Sequence, residues 1–299
     1  MVIIMEYILS FYYQIIVDNK KIDSNGYFSY NNHLFCLYKY QRNIEEIKAL
    51  VFLNNYMLNN NISVNQIINN IYNRPLTYYN GINYVLILIK YQYQSGVFRN
   101  ILIPENNTYK ILERNNWGYL WSMKIDYVEY QIEHLINKYP VLYKTVYYYI
   151  GLSENAIKYF KMLRLDNVNL FIEHRRINDN YLYNPVEFVI DYKIRDISEY
   201  IKYCFINNKK SIYEIKKYLI QFSLSNIDYI LLYVRLLYPS FYFDIYDKIV
   251  NYNVEEKRIL KVTNMVMEYE ELLYEVYLLI KRKINIIGIN WINNKFKNM

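Results

Sequence analysis

Polar and apolar positions follow two different periods along this chain. Residues 11–18, 26–30 and 33–40 are short runs rich in aromatic and β-branched side chains, separated by Asn, Asp, Ser and Gly, and they predict a strand meander. From Asn43 the spacing changes. Ile47, Leu50, Val51 and Leu58 recur at helical intervals behind Glu45, Glu46 and Lys48, and the run stops at Asn59-Asn60-Asn61, which predicts one long helix. Between residues 71 and 93 two further β-type runs flank Asn80-Gly81, a pair that tolerates positive φ at both positions and so favours a tight hairpin. Beyond this point long helical patterns dominate, punctuated by Pro140, Gly151 and a polar loop over 178–185. Ile230, Leu231, Val234 and Leu237 share one helix face, and Leu272, Leu273, Val276, Leu279 and Ile280 repeat the arrangement. Residues 168–172 and 188–190 are short β-type runs bracketing the polar loop, which predicts a hairpin set among helices. The expected fold class is α+β, with a β-rich part holding one long helix over residues 1–93 and a mainly helical part over 94–299.

Composition narrows the class. Hydrophobic residues make up 54% of the chain and there are only six glycines and five prolines, which excludes disordered and collagen-like chains. The 40 tyrosines accompany many Asn, Ile and Lys, a compositional bias that dilutes any functional reading of single aromatics or lysines. The net charge of +7 comes from 35 basic and 28 acidic residues without a basic block, so no nucleic-acid footprint stands out. Cys36 and Cys204 form neither a CxxC pair nor a disulfide framework, which fits a reducing compartment. The first sixteen residues lack a basic n-region and a cleavage site, and the apolar run 84–89 is closed by Lys90, far short of the ~20 residues a spanning helix needs. The expectation is a cytoplasmic protein with no transmembrane segment. His33, His134 and His174 are too dispersed for a local metal motif, and neither GxSxG nor HExxH occurs.

Three segments carry chemistry. The first is Asn169-Leu-Phe-Ile-Glu-His174-Arg175-Arg176-Ile, and the second is Phe188-Val-Ile-Asp191-Tyr192-Lys-Ile-Arg195-Asp196. The third is Arg235-Leu-Leu-Tyr-Pro239-Ser-Phe-Tyr-Phe-Asp244. The first resembles the HxD catalytic loop of aminoglycoside and choline kinase-like enzymes, and the second is similar to their metal-binding strand end. Together, over about residues 168–249, the three resemble the spore coat-associated CotS/YutH-like family of that superfamily. The resemblance implies a protein-kinase-like two-lobed fold, with a small β-rich N-lobe and a larger helical C-lobe. It also implies synthesis in the mother-cell cytoplasm, assembly on the spore coat, and other coat proteins as partners.

Phosphoryl transfer rests on a carboxylate near the acceptor hydroxyl, oxygen ligands for magnesium and a lysine on the phosphates. Arg176 stands where active enzymes of the superfamily carry the Asp base, and a guanidinium cannot accept a proton at neutral pH. Tyr181 takes the place of a metal-binding Asn, with Asn178 and Asn180 nearby. Asp191 matches the magnesium ligand, and Lys39 lies where the nucleotide-positioning lysine would be, with Glu45 or Glu46 as its ion-pair partner. No glycine-rich phosphate loop occurs over 19–26. Beside this stands a structural reading: His174 as a hydrogen-bonded loop anchor, Asp191 and Asp196 as ion-pair partners of Arg175, Arg176 or Arg195, and Trp117 and Trp121 as packing residues where the lobes join. Two functions follow. One is a degenerate kinase-like coat protein with a structural or binding role. The alternative is an active phosphotransferase acting on a hydroxyl group with ATP and Mg2+, and retention of nucleotide as a structural ligand lies between them.

Overall fold

A computed structural model of the chain describes residues 2–18, 21–92, 101–103, 107–165, 168–177 and 182–297. Two compact units make up the chain, Met1–Glu113 with Ile172–Ile190 and Arg114–Phe171 with Asp191–Met299. The hairpin that follows Phe171 groups with the first unit.

In the first unit, helix α1 (Val2–Tyr13) precedes strands β1 (Tyr27–Tyr30) and β2 (His33–Tyr40), helix α2 (Glu46–Asn59), and strands β3 (Gln66–Ile68), β4 (Thr77–Tyr79) and β5 (Ile82–Ile89). These strands form an antiparallel sheet in the order β1-β2-β5-β3, with β4 also on β5. The register sets Leu37 opposite Leu86 and Lys39 opposite Tyr84. A second sheet follows the order β6 (Ile101–Leu102), β7 (Phe171–His174), β8 (Phe188–Asp191).

The strand predicted over 11–18 is replaced by the end of α1 and an irregular segment. Met5, Ile8 and Leu9 recur at helical spacing and are buried with Leu37, Tyr84 and Leu86 in one core, and that burial outweighs the strand-like composition of Phe11-Tyr12-Tyr13. Helix α2 lies where the pattern places it. Its buried face is Ile47, Leu50, Leu53 and Met57, with Val51 and Leu58 half-buried, and beyond its end Asn61 adopts a left-handed φ of 55°. The Asn80-Gly81 hairpin forms as predicted, with φ of 47° and 79°.

Gly26 and Gly81 both have positive φ, but only Gly26 is also confined: an added Cβ would lie 2.5 Å from the Leu37 carbonyl oxygen, whereas at Gly81 it would meet nothing within 4 Å. Gly81→Ala is expected to cost about 1 kcal/mol from backbone strain alone. Gly26→Ala is expected to cost distinctly more, because the Leu37 N–H to Gly26 carbonyl bond of 2.9 Å must open as well. Urea unfolding of the two variants checks the order.

The second unit is helical: α3 (Trp117–Leu135), α4 (Pro140–Lys161), α5 (Arg195–Ile206), α6 (Ile212–Ile220), α7 (Asn226–Leu237), α8 (Ser240–Tyr252), α9 (Leu260–Thr263), α10 (Val266–Lys281) and α11 (Asn290–Lys297). Pro140 opens α4 at a position where its missing N–H costs nothing, and capping boxes at Ser211/Glu214 and Ser225/Asp228 start α6 and α7. The predicted stripes are the core. Leu231, Val234 and Leu237 of α7 and Leu272, Leu273, Val276 and Ile280 of α10 are buried, while Ile230 and Leu279 are half-buried. None of the helices, over the described residues, is long and apolar enough to cross a membrane.

Tyrosines fill much of this core; Tyr149 and Tyr242 stack with ring centroids 3.8 Å apart. Burial raises the phenol of Tyr192 to about 12 and pushes Tyr149, Tyr233, Tyr242, Tyr246 and Tyr269 upward as well. The folded state thus holds these protons more tightly than the unfolded chain. Their contribution to stability is fully present below the ordinary phenol value of about 10 and falls as pH rises above it. The urea midpoint is expected to drop between pH 9 and pH 11, with phenolate absorbance of the buried set appearing only on unfolding. Titration of every tyrosine near pH 10 in the folded protein would contradict this.

Candidate functional site

In the first unit, β7 delivers His174 into the interior. Its Nε2 lies 2.9 Å from the Leu182 carbonyl oxygen, an acceptor that assigns the proton to this nitrogen, and its ring meets Phe188 edge-on. His174 therefore ties the two sides of the loop together. Arg175 donates its backbone N–H to the Glu187 carbonyl at 2.8 Å, and its Nε lies 3.4 Å from the Glu187 carboxylate. Arg176 folds back on its own loop, donating Nη1 to the Arg175 carbonyl at 2.8 Å. Asn178, Asn180 and Tyr181 lie outside the described residues.

The sequence offers Glu45 or Glu46 as the partner of Lys39; in the structure Arg42 binds the Glu46 carboxylate. Arg42 Nε donates to Glu46 Oε2 at 2.6 Å, and Nη1 donates to the carbonyls of Val186 at 2.8 Å and Phe188 at 2.7 Å. A planar guanidinium serves several acceptors at once, whereas an ammonium is a point charge. Arg42 and the Tyr38 hydroxyl, which donates to Glu187 at 2.7 Å, fasten the hairpin to β2 and α2. The i,i+4 spacing of Arg42 and Glu46 is the signal that could have found this pair. Lys39 is half-buried in β2. A cavity of about 440 Å³ in the same unit is lined by Asp23, Asn25, Tyr27, Leu34, Asn65 and Tyr183, among others. None of its described lining residues is a lysine or arginine.

The second unit gathers the other motifs around Asp191, at the end of β8. Its carboxylate is fully buried. Trp117 Nε1 donates to both oxygens at 3.0 Å, the Tyr192 N–H donates to Oδ1 at 2.8 Å, and Arg195 Nη1 donates to Oδ2 at 2.6 Å. Arg235 Nη1 stands 3.9 Å from Oδ2, and Arg235 Nη2 donates to Glu199 at 3.0 Å. Lys202 lies 3.8 Å from Glu199 and donates to the Tyr238 carbonyl at 2.8 Å and to Ser240 Oγ at 3.1 Å. Aromatic faces close the assembly. The Arg235 guanidinium is 4.8 Å from the Trp117 ring centre, Trp117 stacks on Trp121 at 5.2 Å, and Trp121 stacks on Tyr238 at 4.3 Å. Asp196 is buried in the first turn of α5, where a negative charge complements the helix dipole. Of the ion pairs anticipated from sequence, the structure shows Asp191 with Arg195, while Arg175 turns to Glu187.

A carboxylate offers about four lone-pair sites. At Asp191 three N–H donors occupy both oxygens, with the single Trp117 Nε1–H shared between them and Tyr192 and Arg195 on one oxygen each, and a guanidinium charge sits on Oδ2. Magnesium needs free oxygen donors in near-octahedral order. Among the described residues no cluster of three or more His, Cys, Asp or Glu could hold a metal ion. The donor set as it stands does not fit magnesium.

Comparison with known proteins agrees with this architecture. The chain is 27% identical over 163 residues to the endospore coat-associated protein YutH of Bacillus subtilis (strain 168), a match covering 47% of this chain and 48%, about half, of that relative's length. Among solved structures, spectinomycin phosphotransferase APH(9)-Ia in complex with ADP and spectinomycin superposes with a TM-score of 0.56 at 11% identity, over 92% of this chain and 97% of the other. The AMP-bound complex of APH(9)-Ia gives 0.58 at 11% identity, over 91% and 97%. At that identity the likeness establishes the fold, the α+β protein-kinase-like arrangement of a small sheet-bearing part and a larger helical part. The model of the family described as "Spore coat putative kinase YutH" matches residues 6–276, nearly the whole chain, and the chain belongs to that family.

Proposed function

We propose that this protein is a spore coat-associated protein whose kinase-like fold serves a structural or binding role without phosphoryl transfer. The observation that carries the reading is the closed shell of Asp191: the carboxylate that would hold magnesium is fully buried and committed to Trp117, Tyr192 and Arg195. Arg176 in the place of the catalytic base supports it, because its guanidinium stays protonated and bonds its own loop. The coat context comes from the family and from the name of the Bacillus relative. On this reading the protein is made in the mother-cell cytoplasm and assembles on the forespore surface with other coat proteins. An active phosphotransferase would need a base other than Arg176 and an open position on Asp191, with Lys39 on the nucleotide. A fluorescent fusion expressed in a sporulating host tests the coat assignment. A ring around the forespore is expected, and fluorescence that stays diffuse in the mother cell would overturn it.

A further inference from the structure

We infer that Arg195, backed by Arg235, is a resident counter-ion for Asp191 that stands in the place of a divalent cation. The inference rests on the reading of Asp191 as a structural carboxylate and says what replaced the metal. A buried carboxylate without an opposite charge is strongly disfavoured, so a fold that lost its metal must neutralise the group, remove it or supply a fixed cation. Here Asp191 is kept, and two guanidiniums approach Oδ2, Arg195 Nη1 at 2.6 Å and Arg235 Nη1 at 3.9 Å. Arg195 is the direct counter-charge, and Arg235, itself paired with Glu199 at 3.0 Å, places a second guanidinium behind it. Both are held from behind. The Arg195 backbone N–H bonds the Tyr192 carbonyl at 2.9 Å and its carbonyl accepts from Ser198 Oγ at 2.7 Å, while Arg235 is fixed by Glu199 and the Trp117 face. The side chains of Arg195 and Arg235 are 6% and 4% exposed, so neither is a surface charge that happens to lie near.

The test is divalent-ion dependence of thermal unfolding, with MnCl2 and MgCl2 as the probes against EDTA. Wild type is expected to unfold at the same midpoint in either. Arg195→Gln, which opens Oδ2, is expected to gain a Mn2+-dependent rise of roughly 3 °C or more, and Arg195→Lys, which keeps the charge, is expected to gain none. If Arg195→Gln fails to fold, water-proton relaxation by Mn2+ bound to wild type decides: no site that Asp191→Asn removes is expected. A wild-type Mn2+ response abolished by Asp191→Asn overturns the inference, as does a folded Arg195→Gln without any gain. The second result would leave the coat assignment standing, since that is read by microscopy.

Discussion

Asp191→Ala is expected to destabilise the protein by about 3–5 kcal/mol, the usual cost of breaking a buried ion pair by removing one partner. The loss removes the shared acceptor of three donors at once, Arg195 Nη1, Trp117 Nε1 and the Tyr192 N–H. Arg235 would lose its more distant carboxylate and keep Glu199, which also lies 3.8 Å from Lys202. Urea unfolding followed by circular dichroism measures the change. An exposed metal-binding carboxylate behaves in the opposite way, because residues kept for catalysis commonly sit at a stability disadvantage and their removal is neutral or favourable. A variant within about 1 kcal/mol of wild type would therefore mean that the closed shell is not what holds this region together.

Trp117→Ala is the second large effect, expected at about 3–5 kcal/mol, as for other large-to-small changes at fully buried aromatics. The side chain is 1% exposed and contacts Trp121, Phe160, Tyr192 and the Arg235 guanidinium. Trp117→Phe separates packing from hydrogen bonding. It keeps a ring in the stack but removes the N–H that serves both Asp191 oxygens, and is expected to cost about 1–3 kcal/mol. Equal losses for the two variants would show that the indole nitrogen carries the whole effect, and no loss for Trp117→Phe would show that it carries none.

These residues also mark how far the sequence could be read. Local pattern placed β2, α2, the Asn80-Gly81 hairpin and the buried faces of α7 and α10, because each depends on neighbours within a few turns of chain. It misread α1, where Phe11-Tyr12-Tyr13 looks like a strand and the deciding contacts come from β2 and β5. The pairing of Asp191 with Arg195 was legible as one of several choices, since the two sit a short turn apart. Trp117 was legible only as a packing residue and Arg235 only as the start of the third motif; that both converge on Asp191 is set by how α3 and α7 pack, which spacing along the chain does not encode. Arg42 escaped because the superfamily resemblance directs attention to a strand lysine, while the nearer i,i+4 partner holds Glu46. Arg176, where the resemblance expects an Asp, was legible from the sequence alone, because a guanidinium does not accept a proton at neutral pH.

The most direct measurement is release of labelled γ-phosphate from Mg-ATP by purified wild type and by Asp191→Asn, prepared and assayed side by side. The account predicts two slopes that do not differ from each other or from buffer. A wild-type slope above background that Asp191→Asn abolishes would make Asp191 a working metal ligand and the protein an enzyme.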